Sequence, residues 1–298
     1  MLRRIYDIPW ILLVLTPMFW AGNLLLGRSV HETVPPIALA TCRWALAFAI
    51  LLPFAWRDIR ADLAVYRRHW ARTLLLSVFG VSCFNTMLYI GVADTQAING
   101  SLIQSTMPVW IALLSLLLFR DRLGGLQAVG IVISITGVLT ILVRGHFADI
   151  GDIEIRNGDL WLVLAVICYA TYSTLLRIRP PVRPLGFVAV TFLLGDLVLL
   201  PFWIGEMAIG GRYMPLDMTA LLSVLYVAIF PSILAYIFWN RGVELVGANR
   251  AGIFIHLVPA FVTVGAIGFL GEVPHFYHLA GIGLILLGVV MTSRGRGG

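Results

Sequence analysis

The stretch GVADTQAINGSLIQSTMPVWIALLSLLLFRDRLGGLQAVGIVISITG, residues 91–137, has a second copy in the same chain: GVELVGANRAGIFIHLVPAFVTVGAIGFLGEVPHFYHLAGIGLILLG, residues 242–288. A shift of 151 positions brings Gly91 onto Gly242, Ala97 onto Ala248, Pro108 onto Pro259, Asp121 onto Glu272, Gly130 onto Gly281 and Gly137 onto Gly288. Each copy is an apolar run with a proline inside it, then an acidic residue, then a second apolar run carrying two glycines seven apart. Seven residues are close to two helical turns, so both glycines share a face where a neighbouring helix can approach closely. The repeated unit is a helical hairpin.

Outward from that hairpin, the composition excludes a soluble protein: 60% of the 298 residues are hydrophobic and 12% charged, and the mean hydropathy is +0.94. Ten apolar runs have the length of about 20 residues needed to cross roughly 30 Å of hydrocarbon. They lie at 9–30, 36–55, 72–93, 97–119, 126–143, 160–178, 185–206, 219–240, 248–270 and 277–291. The first is too long for a signal-peptide core and lacks a small-residue cleavage site. Five runs precede an acidic linker at 144–159, with Asp149, Asp152, Glu154 and Asp159, and five follow it. Five is odd, so the second half enters the membrane from the opposite side. The expected fold is an all-α membrane protein of ten transmembrane helices, built as two inverted five-helix repeats, 1–147 and 148–298, around a central cavity. That architecture belongs to transporters that expose a midplane site alternately to each side.

All 21 Lys+Arg positions are arginine. Sixteen of them fall in loops on one side of the predicted membrane, Arg28, Arg144, Arg156 and Arg212 fall on the other, and Arg43 lies within a span. The positive-inside rule then places both termini in the cytoplasm, and the basic excess marks topology rather than a nucleic-acid patch. Cys42, Cys83 and Cys168 all lie within spans without metal-ligand spacing, so free thiols, no disulfide, no metal and no cofactor are expected.

Lipid offers no partner to an amide, so polar stripes on these helices must face protein or water. Such stripes occur on six spans: Thr16, Trp20, Asn23 and Gly27 on the first; Ser82, Asn85 and Tyr89 on the third; Asn99, Gln104, Thr106 and Trp110 on the fourth. The sixth has Trp161, Ala165, Cys168 and Tyr172 with Tyr169 beside them, the eighth Ser232, Tyr236 and Trp239, and the ninth Gly252, His256, Pro259 and Thr263. Each polar residue alone could do no more than tie helices together. Repetition over six helices favours one shared interior. Spans five and ten are aliphatic with glycines and read as packing or dimer helices.

Arg43 lies about 10 Å into the second span, where a charge is either functional or a structural arginine bonding to carbonyls or snorkelling outward. Asp196, near the middle of span seven, could carry a coupled proton or pair with an arginine or hydroxyl. His256 could bind solute or be a hydrogen-bonded core residue. Pro108 and Pro259 read as matching hinges or as fixed bends. Trp20, Trp110 and Trp239 lie inside spans, where aromatic walls suit planar or amphipathic solutes.

The segments Phe19-Trp20-Ala21-Gly22-Asn23, Pro36 with Arg43 and Ala47, Met107-Pro108, Phe119-Arg120-Asp121-Arg122-Leu123, and Gly130 with Gly137 resemble the EamA-type drug/metabolite transporter family. Val258-Pro259, Leu270-Gly271-Glu272, Gly281 and Gly288 repeat the pattern. Asp121 departs from the glutamate usual there but keeps the charge. The resemblance spans nearly the whole chain. It implies ten helices with one, three, four, six, eight and nine around a pathway, the same six that carry the stripes. It also implies a bacterial inner-membrane exporter of amino acids and related metabolites, with a tryptophan and tyrosine content similar to the aromatic-amino-acid exporters.

The expected function is therefore alternating-access export of amino acids or similar small metabolites by a multi-pass protein, monomer or homodimer. Asn23, Asn85, Asn99, Gln104 and His256 would offer hydrogen bonds, and Trp20, Tyr89, Trp110, Tyr169, Tyr172, Tyr236 and Trp239 would form the walls. One alternative is a proton-coupled multidrug cation exporter using Asp196. The other is an intramembrane lipid-modifying enzyme, against which stand the lack of clustered carboxylates, of an HExxH motif and of a Ser-His or Cys-His pair at membrane depth.

Overall fold

In the computed structural model, residues 6–94, 103–104, 106–121, 124–142, 157–270 and 276–294 are described. They are helical almost throughout: α1 (Pro9–Ser29), α2 (Pro36–Ala61), α3 (Trp70–Asp94), α4 (Met107–Phe119), α5 (Gly125–Leu142), α6 (Asn157–Leu175), α7 (Pro184–Ala208), α8 (Met218–Val246), α9 (Ala248–Ile253 and Leu257–Leu270, joined by a 3-10 turn at Phe254–His256) and α10 (Phe276–Arg294). Among these residues, seven helices are long and apolar enough to cross a membrane: α1, α2, α3, α6 with its 3-10 extension to Ile178, α7, α8, and α9 over Ala248–Gly265. Shorter apolar stretches at Met107–Phe119, Gly125–Gly137 and Leu279–Gly288 coincide with the other three predicted runs. Linker residues 144–156, Ala97, Asn99, Arg122 and Glu272 lie outside the described residues, while Asp159 is buried in the first turn of α6.

Helix starts follow local chemistry. Proline opens α1, α2, α4 and α7 in the first turn, where its missing N–H would have had no intrahelical partner. Asp217 caps α8, its carboxylate accepting from Ala220 N at 2.7 Å. Other ends are capped across helices. Glu206, near the end of α7, accepts from Ile37 N at 3.2 Å and Ala38 N at 2.8 Å at the start of α2. At the other end of that pair, Arg183 donates to Asp62 through its backbone N at 2.7 Å and its guanidinium at 3.0 Å. The two contacts make α2 and α7 antiparallel neighbours.

α5 and α10 pack closely along the glycines. A Cβ on Gly137 would lie 2.7 Å from Gly281 O, and one on Gly288 would strike Gly130 O and Ser134. Between them Ser134 donates to Ile285 O at 3.2 Å. Residue numbers rise on one helix as they fall on the other, so this pair is antiparallel too. The glycine faces that the sequence marked for close approach are turned toward each other.

α3 and α8 each contain one π-helical turn, at Val78–Cys83 and Ile229–Leu234. The two turns are separated by the same 151 positions as the sequence repeat. A π turn inserts one residue into the α-helical ladder and rotates everything beyond it by about 100°. Gly80 and Gly195 let neighbours close on the turn in α3: a Cβ on either would strike Tyr172 of α6 or Val81 of α3, respectively.

Helices in lipid gain little from apolar contact alone, and backbone approach supplies much of the packing. Gly137→Val should therefore force α5 and α10 apart and cost about 1–3 kcal/mol, as overpacking does. Gly283→Ala, with nothing within 4 Å of the new Cβ, should leave stability unchanged or slightly raised. Thermal unfolding of the two purified variants in one detergent checks the contrast.

Candidate functional site

α2 carries Arg43 into the middle of the bundle, where its side chain is fully buried. Nε donates to Ser232 Oγ of α8 at 2.9 Å. Nη1 donates to Tyr89 Oη at 2.6 Å and Asn85 Oδ1 at 2.7 Å on α3, and to Asn23 Oδ1 of α1 at 3.2 Å. Tyr89 Oη donates onward to Asn23 Oδ1 at 2.7 Å. The guanidinium carbon lies 4.5 Å from the Trp44 ring centroid and 5.8 Å from that of Tyr89. Among the described residues no carboxylate pairs with it. A lone cation in this setting costs several kcal/mol, and charge-assisted hydrogen bonds with two ring faces offset that cost. The arginine does not snorkel outward, and two of its four partners are side-chain amide carbonyls.

The π turns make this convergence possible. On an unbroken α3, Ser82, Asn85 and Tyr89 would share one face. In the structure Ser82 instead donates to Gly195 O of α7 at 2.8 Å, and Asn85 and Tyr89 turn to Arg43. On α8, Ser232 lies within the π turn, donates to Val227 O five residues back at 2.6 Å and receives Arg43. Tyr236 Oη donates to Gly80 O within the other π turn and accepts from Asn85 Nδ2 at 3.5 Å.

Beside the polar cluster lies an aromatic layer centred on Tyr169 of α6. Its ring centroid is 4.5 Å from Phe84, 5.1 Å from Trp20, 5.4 Å from Tyr172, 5.9 Å from Trp239 and 6.0 Å from Tyr236. Such contacts contribute about 0.5–1.5 kcal/mol per pair beyond area burial. These rings are buried and packed against one another, so they form a closed layer rather than an open cavity wall. Tyr169 Oη has no hydrogen-bond partner.

An open cavity of about 1170 Å³ lies on the other side of that layer. Its floor is Ser173 and Thr174 of α6 and Asn240 of α8, and its walls include Arg120, Asp121, Arg177 and Arg179. The floor is bonded to the rings: Trp239 Nε1 donates to Ser173 Oγ at 3.0 Å and Tyr172 Oη to Asn240 Oδ1 at 2.7 Å. At the opposite end of the bundle, hydrogen bonds among the described residues join helices. Arg28 donates to Val92 O at 3.0 Å and Ala93 O at 3.2 Å, joining α1 to α3. Asp94 accepts from Gly158 N at 2.8 Å, joining α3 to α6.

Of the residues singled out from sequence, Trp20, Asn23, Arg43, Asn85, Tyr89, Tyr169, Tyr172, Tyr236 and Trp239 come together in this centre. Gln104 and His256 are buried, with Gln104 Oε1 and both imidazole nitrogens unpartnered among the described residues. Trp110 is partly buried against the core, and Asn99 lies outside the described residues. Asp196 stands apart from Arg43. It is half-buried on α7, within electrostatic reach of Cys42, with Oδ1 unpartnered. Trp161, aligned with the sixth stripe, faces outward at 40% exposure. Pro108 stands in the first turn of α4, and Pro259 follows the 3-10 turn at Phe254–His256 within the α9 span. Ser173 and Thr174 carry no signal in the sequence, and Asn240 only lies near the stripe of the eighth span. They sit where polar helix ends are ordinary, and their only signal is burial.

The model of the EamA-like transporter family matches residues 8–143 and 156–294. The uncharacterized transporter YyaM of Bacillus subtilis is 25% identical over 287 residues, covering 95% of this chain and 93% of that protein. A Streptantibioticus cattleyicolor protein described as a "probable terminal-alkyne amino-acid exporter" is 27% identical over 292 residues, covering 95% and 92%. A protein of known crystal structure superposes with a TM-score of 0.72 over 95% of both chains at 18% identity. That last likeness concerns fold alone.

Arg43→Ala would strand Asn85 Oδ1, while Asn23 and Tyr89 keep each other and Ser232 keeps Val227 O. At about 1–3 kcal/mol per stranded buried group, the variant should lose about that much. Arg43→Lys should recover only part of it, because an ammonium cannot present the same fork. Titrated unfolding in mixed micelles checks both.

Proposed function

The chain belongs to the EamA-like transporter family, and we propose that it is a secondary transporter exporting amino acids, including aromatic ones, and related small metabolites. The proposed setting is the bacterial inner membrane with both termini cytoplasmic, the arginine-rich end of the bundle on the cytoplasmic side. The proposed architecture is two inverted five-helix repeats, 1–147 and 148–298. It is supported by the antiparallel α2–α7 and α5–α10 pairs, by the matched π turns and by the Asn85–Tyr236 contact, whose members are also 151 positions apart.

The observation that carries this reading is the order of layers along the bundle. A wide cavity open at the arginine-rich end meets a closed aromatic layer and the Arg43 cluster, and beyond them Arg28 and Asp94 join α1 to α3 and α3 to α6. A mouth on one side backed by a closed layer is what alternating access requires of a single state. The Tyr169 hydroxyl, unpartnered among the described residues, is a group that an amino acid's ammonium or carboxylate would complete, while Trp20, Tyr236 and Trp239 would hold its side chain. The central charge is an arginine, which disfavours a cation exporter. Asp196→Asn should accordingly leave amino-acid flux intact.

Purified protein in liposomes should move labelled phenylalanine or another member of a broad amino-acid panel in counterflow. Tyr169→Phe removes a hydroxyl that bonds to nothing in this state, so stability should be unchanged. Flux at low substrate should fall about tenfold, the usual effect of one lost hydrogen bond to a charged group. Equal flux through Tyr169→Phe, or no flux of any amino acid, would overturn the assignment.

A further inference from the structure

The floor of the open cavity is made of donors. Asn240 is 4% exposed and its Oδ1 is taken by the Tyr172 hydroxyl, which leaves Nδ2 with no partner. Thr174 is 2% exposed and its hydroxyl is likewise without a partner. Ser173 Oγ accepts from Trp239 Nε1, so its own proton is available to give. Buried amide and hydroxyl groups are nearly always hydrogen-bonded, and exceptions gathered at one place call for a ligand.

The walls carry the matching charge. Arg120, Arg177, Arg179 and Arg250 line the cavity with two carboxylates, Asp121 and Glu244. Both carboxylates are already engaged: Asp121 with Arg177 at 2.5 Å, Glu244 with Arg179 and Arg241 at 3.1 Å each. A cation arriving here meets arginines and occupied carboxylates. A carboxylate meets a field that attracts it and, at the bottom, N–H and O–H groups it can accept from. Half-buried Asn249 also lines the cavity, and its unpartnered Oδ1 gives an acceptor for an α-amino group.

We propose that this vestibule is a binding station for the carboxylate of an entering solute, read by Asn240, Thr174 and Ser173 before the aromatic layer opens. The inference rests on the transporter reading and adds to it a charge selectivity set at the mouth, separate from the Arg43 centre. Solutes bearing a carboxylate are admitted, and amines lacking one are turned away.

The test uses full-length protein in phosphatidylcholine nanodiscs and equilibrium binding of two labelled probes. These are N-acetyl-L-phenylalanine, a carboxylate without an amine, and 2-phenylethylamine, an amine without a carboxylate. The acetylated acid should bind at least about tenfold tighter than the amine. Thr174→Val should weaken it about tenfold. Asn240→Asp, nearly the same in shape but acceptor-only, should reverse the preference between the probes. Unchanged unfolding temperatures of both variants would show that the fold is kept, and Thr174→Val alone decides the matter should Asn240→Asp fail to fold.

Equal binding of the two probes, wild-type binding by the folded variants, or displacement of the acid by added phosphatidylglycerol would each overturn the proposal. Displacement would give the site to a lipid headgroup. If liposomes carry amino acids while the probes bind alike, this inference falls and the transporter reading stands. If the acid binds through Thr174 and Asn240 while no amino acid moves, the substrate reading falls and the site stands.

Discussion

A guanidinium that cannot lose its proton has to be solvated by whatever surrounds it, and Arg43 is surrounded by helices. That requirement fixes more of the molecule than any other single contact. The four acceptors come from α1, α3 and α8, and three elements must therefore reach one point from α2's side with sub-ångström agreement. The π turns, Gly80 beneath Tyr172, and the Tyr236 bond to a π-turn carbonyl can all be understood as the local backbone adjustments that let them do so. In hydrocarbon the alternative would be an unsolvated charge, whose cost exceeds that of distorting two helices.

The aromatic layer depends on the same point. Trp44 lies against the guanidinium and against Tyr236, with ring centroids 5.3 Å apart, and Tyr236 leads to Tyr169 and Tyr172. Charge, hydroxyls and rings thus form one connected body from Arg43 to the cavity floor. A displacement of α8 that moved Tyr236 would have to break its hydrogen bond to Gly80 O and shift the ring stack together, so the polar cluster and the barrier above it are mechanically joined.

Much of this was legible in the sequence, for identifiable reasons. Glycines seven apart share one helix face, so close approach there followed from spacing, while the choice of each other as partner is visible only in the structure. Asn23, Tyr89, Tyr169 and Trp239 lie in the interior, because amides and amphipathic rings in apolar runs have few other places to be. What failed did so where the helical period broke. Ser82 was grouped with Asn85 and Tyr89, and an inserted residue at 78–83 turned it to α7 instead. Trp161 aligned with its stripe but lies at the outer end of α6, where the face no longer meets the bundle. Asn240, Ser173 and Thr174 were invisible as a group because three polar residues near helix ends are what any membrane helix shows, and only the third dimension puts them on one floor.

The seam between α5 and α10 has a consequence beyond its own stability. Small-residue ridges are what one membrane helix offers another for docking, and here each ridge is already lodged in its counterpart within one chain. Facing outward from the pair are branched and long aliphatic side chains, Val129 and Val132 on one helix and Leu286 and Leu287 on the other. Acyl chains wet such a surface as readily as protein does.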